Sequence, residues 1–562
     1  MKKILSLCLA IVTLLSCVCV VNANEAVVSS ENPDFSYIVK DGEAWLTNYT
    51  GTATELTLPT ILDGYNVVGV SEMSLRNNKT VISLTIPGNI KTIGQMSMSN
   101  WSALEKVVFE EGVETIGWES FYYCKSLSAI DLPNSLKKID VFAFQQSQIY
   151  NEAWKEAQAL KKESGSSPLK GIYIDNWLIT YAGYDDIDTI NVAEGTVGVA
   201  CGTFQGIAAN CFNVHISSTV KYLDPNSFSY ISVEKITVNE SNPYYTAVDG
   251  ILYDKAVERV ITYPRGNKNT VYEMPETVKT VETRAFDRND YVEKIIFSKN
   301  AKDVFAPGLC TEMRKIKEFE VTEGNDNFAS LYGVLYSADL KTLVSYPAYK
   351  EGKTFKIPNG VTTILNGAFC NNKNIKELFI ADTVTNIEDY AFSSTVNVYT
   401  EEFSPLKAVL YSPENEVVKK YAETHDLTIE ETLLNNKVYF DRQNGLIIVD
   451  AITVTSDVVV NHLGNETQVT NKNGDELTST KLGTGIIVKS NDVVYTIVMK
   501  GDVDGSGVVD GTDYLRLKKV FFGEMAAPEG IYMYSADMDQ NEKIDSTDYL
   551  QIKKVFLGTY DL

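Results

Sequence analysis

An internal period constrains this chain more than any other feature. Leu84-x-Ile86-Pro87, Val107-x-Phe109-Glu110 and Ile130-x-Leu132-Pro133 follow one another at steps of 23 residues. Two further columns keep that step: Val70, Ile93, Ile116 and Ile139, and then Leu75, Met98, Phe121 and Phe144, which are preceded by Ser74, Ser97, Ser120 and Ala143. A unit of this length cannot bury its apolar face alone, so three columns in register require each unit to stack on the next. The expected fold is a solenoid. Short β-branched runs such as Leu84-Thr85-Ile86 alternate as strands do, proline closes them, and the Ile-Gly-x-x-Ala-Phe stretch reads as a tight turn. The phenylalanine column is then core.

A longer period overlies the first. Gly250-Ile251-Leu252-Tyr253 returns as Gly333-Val334-Leu335-Tyr336, Tyr263-Pro264 as Tyr346-Pro347, Met274-Pro275 as Ile357-Pro358 and Ala285-Phe286 as Ala368-Phe369, all at an offset of 83. The 23-residue step resumes inside the block, from Ile364 to Ile387 and from Phe369 to Phe392. A shorter cousin runs from Ile174-Asp175-Asn176-Trp177-Leu178 to Thr203-Phe204. Each block therefore reads as a repeat interrupted by a hairpin-like insertion, with Gly250 and Gly333 as turn signals. The stretch from Ile357-Pro358-Asn359-Gly360 to Gly367-Ala368-Phe369 resembles the BspA-like leucine-rich repeat family of bacterial surface and secreted proteins. The resemblance spans about 31–430, with a lead-in from Gly51 to Val70. It weakens over 145–170, where Glu152-Ala153-Trp154-Lys155-Glu156-Ala157 reads as a helical insertion.

Lys2 and Lys3, the apolar run from Ile4 to Val21 and the Val21-Asn22-Ala23 exit read as a secretory signal peptide, 1–23. Leu14-Leu15-Ser16-Cys17 offers a competing lipoprotein box, although apolar residues follow Cys17 where a polar tether is usual. No other run reaches the ~18 apolar residues of a membrane span. The five cysteines outside the signal, Cys124, Cys201, Cys211, Cys310 and Cys370, are odd in number and irregularly spaced, so they read as buried small hydrophobes. A Cys201–Cys211 bridge is the alternative. A net charge of −24 repels phosphate backbones and anionic lipid, which argues against nucleic-acid partners and a peripheral membrane role. The three histidines, His215, His425 and His462, are too scattered for a histidine zinc site or a triad.

Residues 435–499 change character. Val438-Tyr439-Phe440 and Val494-Tyr495-Thr496-Ile497-Val498 alternate around Asn444-Gly445 and Asn473-Gly474, which predicts a small all-β module. Its Thr484-Gly485 and Val494-Tyr495 elements resemble spacer modules that often precede dockerins.

The strongest chemical signal lies beyond it. Asp502, Asp504, Ser506, Asp510 and Asp513 occupy positions 1, 3, 5, 9 and 12 of a loop, with the Val508 carbonyl at position 7. Thirty-five residues later Asp537, Asp539, Asn541, Asp545 and Asp548 repeat the pattern, with Lys543 at position 7. A hard cation needs six to eight oxygens, and wrapped spacing of this kind supplies them, so the pattern points to two Ca2+ ions. Position 12 is Asp instead of Glu, and β-like sequence precedes Asp502 where an entering helix would stand. Each loop instead leads into an apolar-periodic helix, Tyr514–Phe521 and Tyr549–Phe556. This duplicated loop and helix resembles a type I dockerin over 500–562, an all-α pair of F-hands that docks on a cohesin module of a scaffoldin. Carried over by position, the resemblance assigns cohesin contacts to Gly511, Thr512, Lys518, Lys519, Ser546, Thr547, Lys553 and Lys554. Gly511 departs from the small hydroxyl usual at its position, and Glu542 replaces the loop glycine represented by Gly507, which implies weaker binding at each of those places.

Three functions compete: a cellulosome component whose repeats bind a protein or glycan, a polysaccharide-degrading enzyme, and a structural spacer. Glycosidases need two carboxylates across a cleft, and nothing selects a pair among 74 acidic residues. The repeats leave no segment of the ~250 residues a catalytic barrel takes, and no Gly-x-Ser-x-Gly elbow occurs. The expectation is a mostly β, non-catalytic protein, secreted and held on a cell-surface cellulosome through cohesin, supporting polysaccharide degradation or adhesion. The 32 tyrosines read as amphipathic core edges ahead of sugar platforms.

Overall fold

The computed structural model describes Val28, Ser29 and residues 32–159 and 169–557, apart from 183–186, 205–210, 229–230, 283–284, 287–288, 305–312, 314, 398–401, 413–414, 433–436, 442–444, 451, 465, 479, 491–492 and 540–542. The expected signal peptide and lipoprotein box lie outside the described residues. Two compact units divide at Tyr244 and Tyr245.

In the first unit the apolar columns become parallel ladders. Leu56, Leu84, Val107 and Ile130 are paired Cα to Cα along one ladder, and Val70, Ile93, Ile116 and Ile139 along the other. All eight side chains are buried. The Leu75-to-Phe144 column sits at the turns, where the Met98 N–H donates to the Ser120 carbonyl at 2.9 Å and the Phe121 N–H to the Ala143 carbonyl at 2.8 Å. The Phe121 and Phe144 rings stack at 5.5 Å. Two residues before each member of this column the backbone is left-handed, with φ of 53° at Met73, 51° at Met96, 51° at Glu119 and 59° at Phe142. Other repeats place Gly202 and Gly367 at this point. Non-glycine residues pay roughly 1–2 kcal/mol for that geometry, which the turn-to-turn hydrogen bonds offset.

The helical insertion is present as Gln148–Ala159. It does not break the stack, because the Cys201 N–H still donates to the Ile139 carbonyl at 2.9 Å. Cys124 and Cys201 are buried free thiols, so the Cys201–Cys211 bridge is not formed.

In the second unit the 83-residue blocks carry antiparallel meanders, Tyr245–Val248 with Ile251–Asp254 and Arg259–Thr262, and Phe328–Leu331 with Val334–Ser337 and Thr342–Ser345. Their turns, Asp249-Gly250 and Tyr332-Gly333, have positive φ at both residues, the twist that two-residue hairpins require. Tyr263 and Tyr346 open aromatic columns within this unit, stacking on Phe286 at 5.1 Å and Phe369 at 5.3 Å. Buried Asn289 and Asn372 staple successive repeats. The Asn372 amide donates to the carbonyls of Pro347 at 3.3 Å and Ala348 at 3.4 Å, while its oxygen accepts from the N–H groups of Asn374 and Ile375. Asn289 does the same on Pro264, Arg265, Tyr291 and Val292.

The segment expected to be all-β holds a five-stranded sheet and also a helix, Ser456–Leu463. Strands Leu446–Val449 and Val493–Met499 are parallel neighbours, and a parallel pair needs a crossover, of which the helix is the first part, ahead of strands Gln468–Thr470 and Ile487–Ser490. The β-branched run Val458-Val459-Val460 hid it, since only the buried face of Val459 and the closing Gly464, with φ of 101°, mark a helix. The C-terminal region is helical, with Gly511–Phe521 and Ser546–Phe556 starting earlier than their apolar pattern implied, and with an additional short helix Ile531–Ala536.

Candidate metal centre and docking face

Each long C-terminal helix starts inside its acidic loop because position 9 serves as N-cap. The Asp510 and Asp545 carboxylates each accept an N–H at 2.7 Å, from Thr512 and Thr547. Position 12 closes the loop from the other side. Asp513 accepts from the N–H groups of Val503 at 2.8 Å, Asp504 at 3.2 Å and Asp510 at 3.0 Å. Asp548 repeats this with Met538, Asp539 and Asp545.

These bonds gather the carboxylates of positions 1, 3 and 12. One oxygen each from Asp502, Asp504 and Asp513 lie within 4.8 Å of one another, and so do oxygens of Asp537, Asp539 and Asp548. Asp502, Asp513, Asp537 and Asp548 are buried. Burial pushes the Asp513 carboxyl up to about 6, against the hydrogen bond from the Asp510 N–H, and also raises Asp502 and Asp548. Among the described residues no lysine or arginine pairs with Asp502, Asp504 or Asp513. Three clustered, desolvated carboxylates of this kind fit a hard divalent cation, which would favour their ionised form.

Those trios are of carboxylates alone, and the other expected ligands are placed as follows. Ser506 Oγ donates to the Val508 carbonyl at 3.0 Å and lies 3.5 Å from Asp502 Oδ1. Asp510 and Asp545 cap helices as described, and Lys543 is exposed. Asn541 and Glu542 lie outside the described residues.

Thr512, Lys519, Ser546, Thr547, Lys553 and Lys554 are exposed, and Gly511 and Lys518 are half-buried. Lys554 Nζ lies 5.8 Å from the Tyr332 ring. The sequence reading missed the apolar members of this surface. Leu515 and Leu550 are 53% and 52% exposed, and Phe522 and Leu557 are 58% and 59% exposed. Each pair is related by the same 35-residue offset as the loops, which was the available signal.

Comparison with known families finds BspA type leucine rich repeat regions over 53–157, 180–247 and 347–435, and a dockerin type I domain over 500–557. No curated protein matches the chain. Among solved structures, a leucine rich cell surface protein from Faecalibacterium prausnitzii A2-165 is 20% identical, with 65% of this chain and 94% of that one covered at a TM-score of 0.29. The pneumococcal vaccine antigen PcpA is 15% identical, covering 73% and 99% at a TM-score of 0.26. A leucine-rich repeat protein from Eubacterium ventriosum is 14% identical, covering 69% and 93% at 0.30.

Proposed function

We propose, from the premise that this chain joins BspA-type leucine-rich repeats to a type I dockerin, that it is a secreted, non-catalytic component of a cellulosome-type assembly. Both modules are non-catalytic types, and proteins that carry them are typically extracellular or at the cell surface. In this reading residues 500–562 bind two Ca2+ ions and dock on a scaffoldin cohesin, 435–499 is a spacer, and the solenoid of 31–430 presents a protein or glycan ligand near polysaccharide. Calcium would be held by Asp502, Asp504 and Asp513 in one loop and by Asp537, Asp539 and Asp548 in the other, where it would neutralise the clustered charge and order the loops.

The carrying observation is the duplicated surface set, exposed throughout except for the half-buried Lys518. Thr512, Leu515, Lys518 and Lys519 on one helix match Thr547, Leu550, Lys553 and Lys554 on the other, so either face offers an apolar centre with a basic rim. The test is cohesin capture of the full chain with calcium and with chelator. Capture should require calcium. Replacing Thr512, Lys518 and Lys519 by alanine, or Thr547, Lys553 and Lys554, should cost little singly and nearly everything together. Capture unaffected by chelator defeats the reading, and complete loss from the first set alone defeats the two-face part of it.

A further inference from the structure

We propose that Gly483 and Thr484, which precede the first acidic loop in a different part of the fold, are positioning residues of that loop's metal site and not of the second's. The inference rests on the calcium reading above.

Asp502, at position 1, is fully buried. Its Oδ2 accepts from the Thr484 N–H at 2.7 Å as well as from the Gly507 N–H at 3.2 Å. Thr484 is itself pinned, because its Oγ1 accepts from the Met499 N–H at 3.1 Å and lies 3.2 Å from the Met499 carbonyl. Gly483 packs directly on the loop backbone. A Cβ there would stand 2.7 Å from Gly507 N and 2.8 Å from the Gly505 carbonyl oxygen, and backbone cannot yield as a flexible side chain can. Glycine at 483 is therefore what lets the Thr484 N–H reach Asp502.

The duplication does not extend to this brace. The residues 35 positions after Gly483 and Thr484 are Lys518 and Lys519, inside a helix. Donors that hold a ligating carboxylate in one orientation lower the ordering cost of binding, and loss of such outer-shell support commonly weakens a metal site 10- to 100-fold. Gly483 and Thr484 thus bear on the first loop.

The experiment is calcium titration of the full chain by calorimetry in two backgrounds. With Asp537→Ala only the first loop should bind, and adding Gly483→Ala should weaken it about tenfold or more. With Asp502→Ala only the second loop should bind, and Gly483→Ala should leave its affinity unchanged. An equal effect in both backgrounds, or none in the first, overturns the inference while leaving the calcium reading intact. Absence of calcium binding by the unmutated chain overturns both. Hydrogen exchange of the unmutated chain is independent of any folding defect: calcium should slow exchange of the Thr484 amide relative to Val488, and an unchanged ratio overturns the inference.

Discussion

The phenolic oxygens of Tyr514 and Tyr549 lie 2.9 Å apart, joining residues that hold the same place in the two loop-and-helix halves. The surrounding ring contacts obey the same exchange: Tyr514 stacks on Phe556 at 5.5 Å, and Phe521 stacks on Tyr549 at 5.3 Å. The two helices are thus held by a contact set with local twofold character, which is the geometry that two interchangeable docking faces need.

If that hydroxyl pair is one interaction, Tyr514→Phe and Tyr549→Phe should each lower the melting temperature of the calcium-loaded protein slightly, and the double variant should lower it no further. Additive losses in this double-mutant cycle would mean that the hydroxyls act separately.

Phe369 lies between Tyr346 and Phe392 with no exposed surface. Phe369→Ala should cost about 3–5 kcal/mol through lost transfer energy and a residual cavity. Repeats contact their neighbours, so denaturant unfolding should show the loss in the solenoid while calcium titration of the acidic loops stays as before. A variant of full stability would refute the burial of this column.

The Asn372 staple should be sensitive to chemistry more than to size. Asn372→Ala strands two carbonyls and two N–H groups in a buried turn and should cost about 2–3 kcal/mol. Asn372→Asp should be worse, because an oxygen would replace the amide that faces the carbonyls of Pro347 and Ala348. Equal stability of the two variants, measured by chemical denaturation, would argue against the donor role.

Burial pushes the Cys124 thiol up to about 12 and raises Cys201 well above its ordinary value. A raised thiol pKa leaves little thiolate at pH 8, so both should resist an aromatic disulfide reagent in the folded protein and react once it unfolds. Peptide mapping of the labelled sites reads the outcome, and rapid labelling of either in the folded state contradicts it.

The buried columns, the hairpin insertions and the paired acidic loops were legible because each recurs at a constant offset, and a repeated environment selects a repeated residue type. Irregular features left weaker marks. The left-handed turn positions carry Met96, Glu119 and Phe142, which no conformational preference singles out, since neighbouring turns and not local propensity hold them there. Helix Ser456–Leu463 was hidden by three consecutive valines whose β preference is overridden by the need of the chain to cross back after strand Leu446–Val449.

By itself, the sequence determined the period of the solenoid and the oxygen pattern of the two loops, because both are written as spacing along the chain. Only the tertiary structure decided which oxygens converge, turning Asp510 and Asp545 into helix caps while gathering positions 1, 3 and 12. It also decided that the Thr484 N–H would reach Asp502, a contact between residues 18 apart that no repeat encodes, set by how closely a glycine lets two backbones approach.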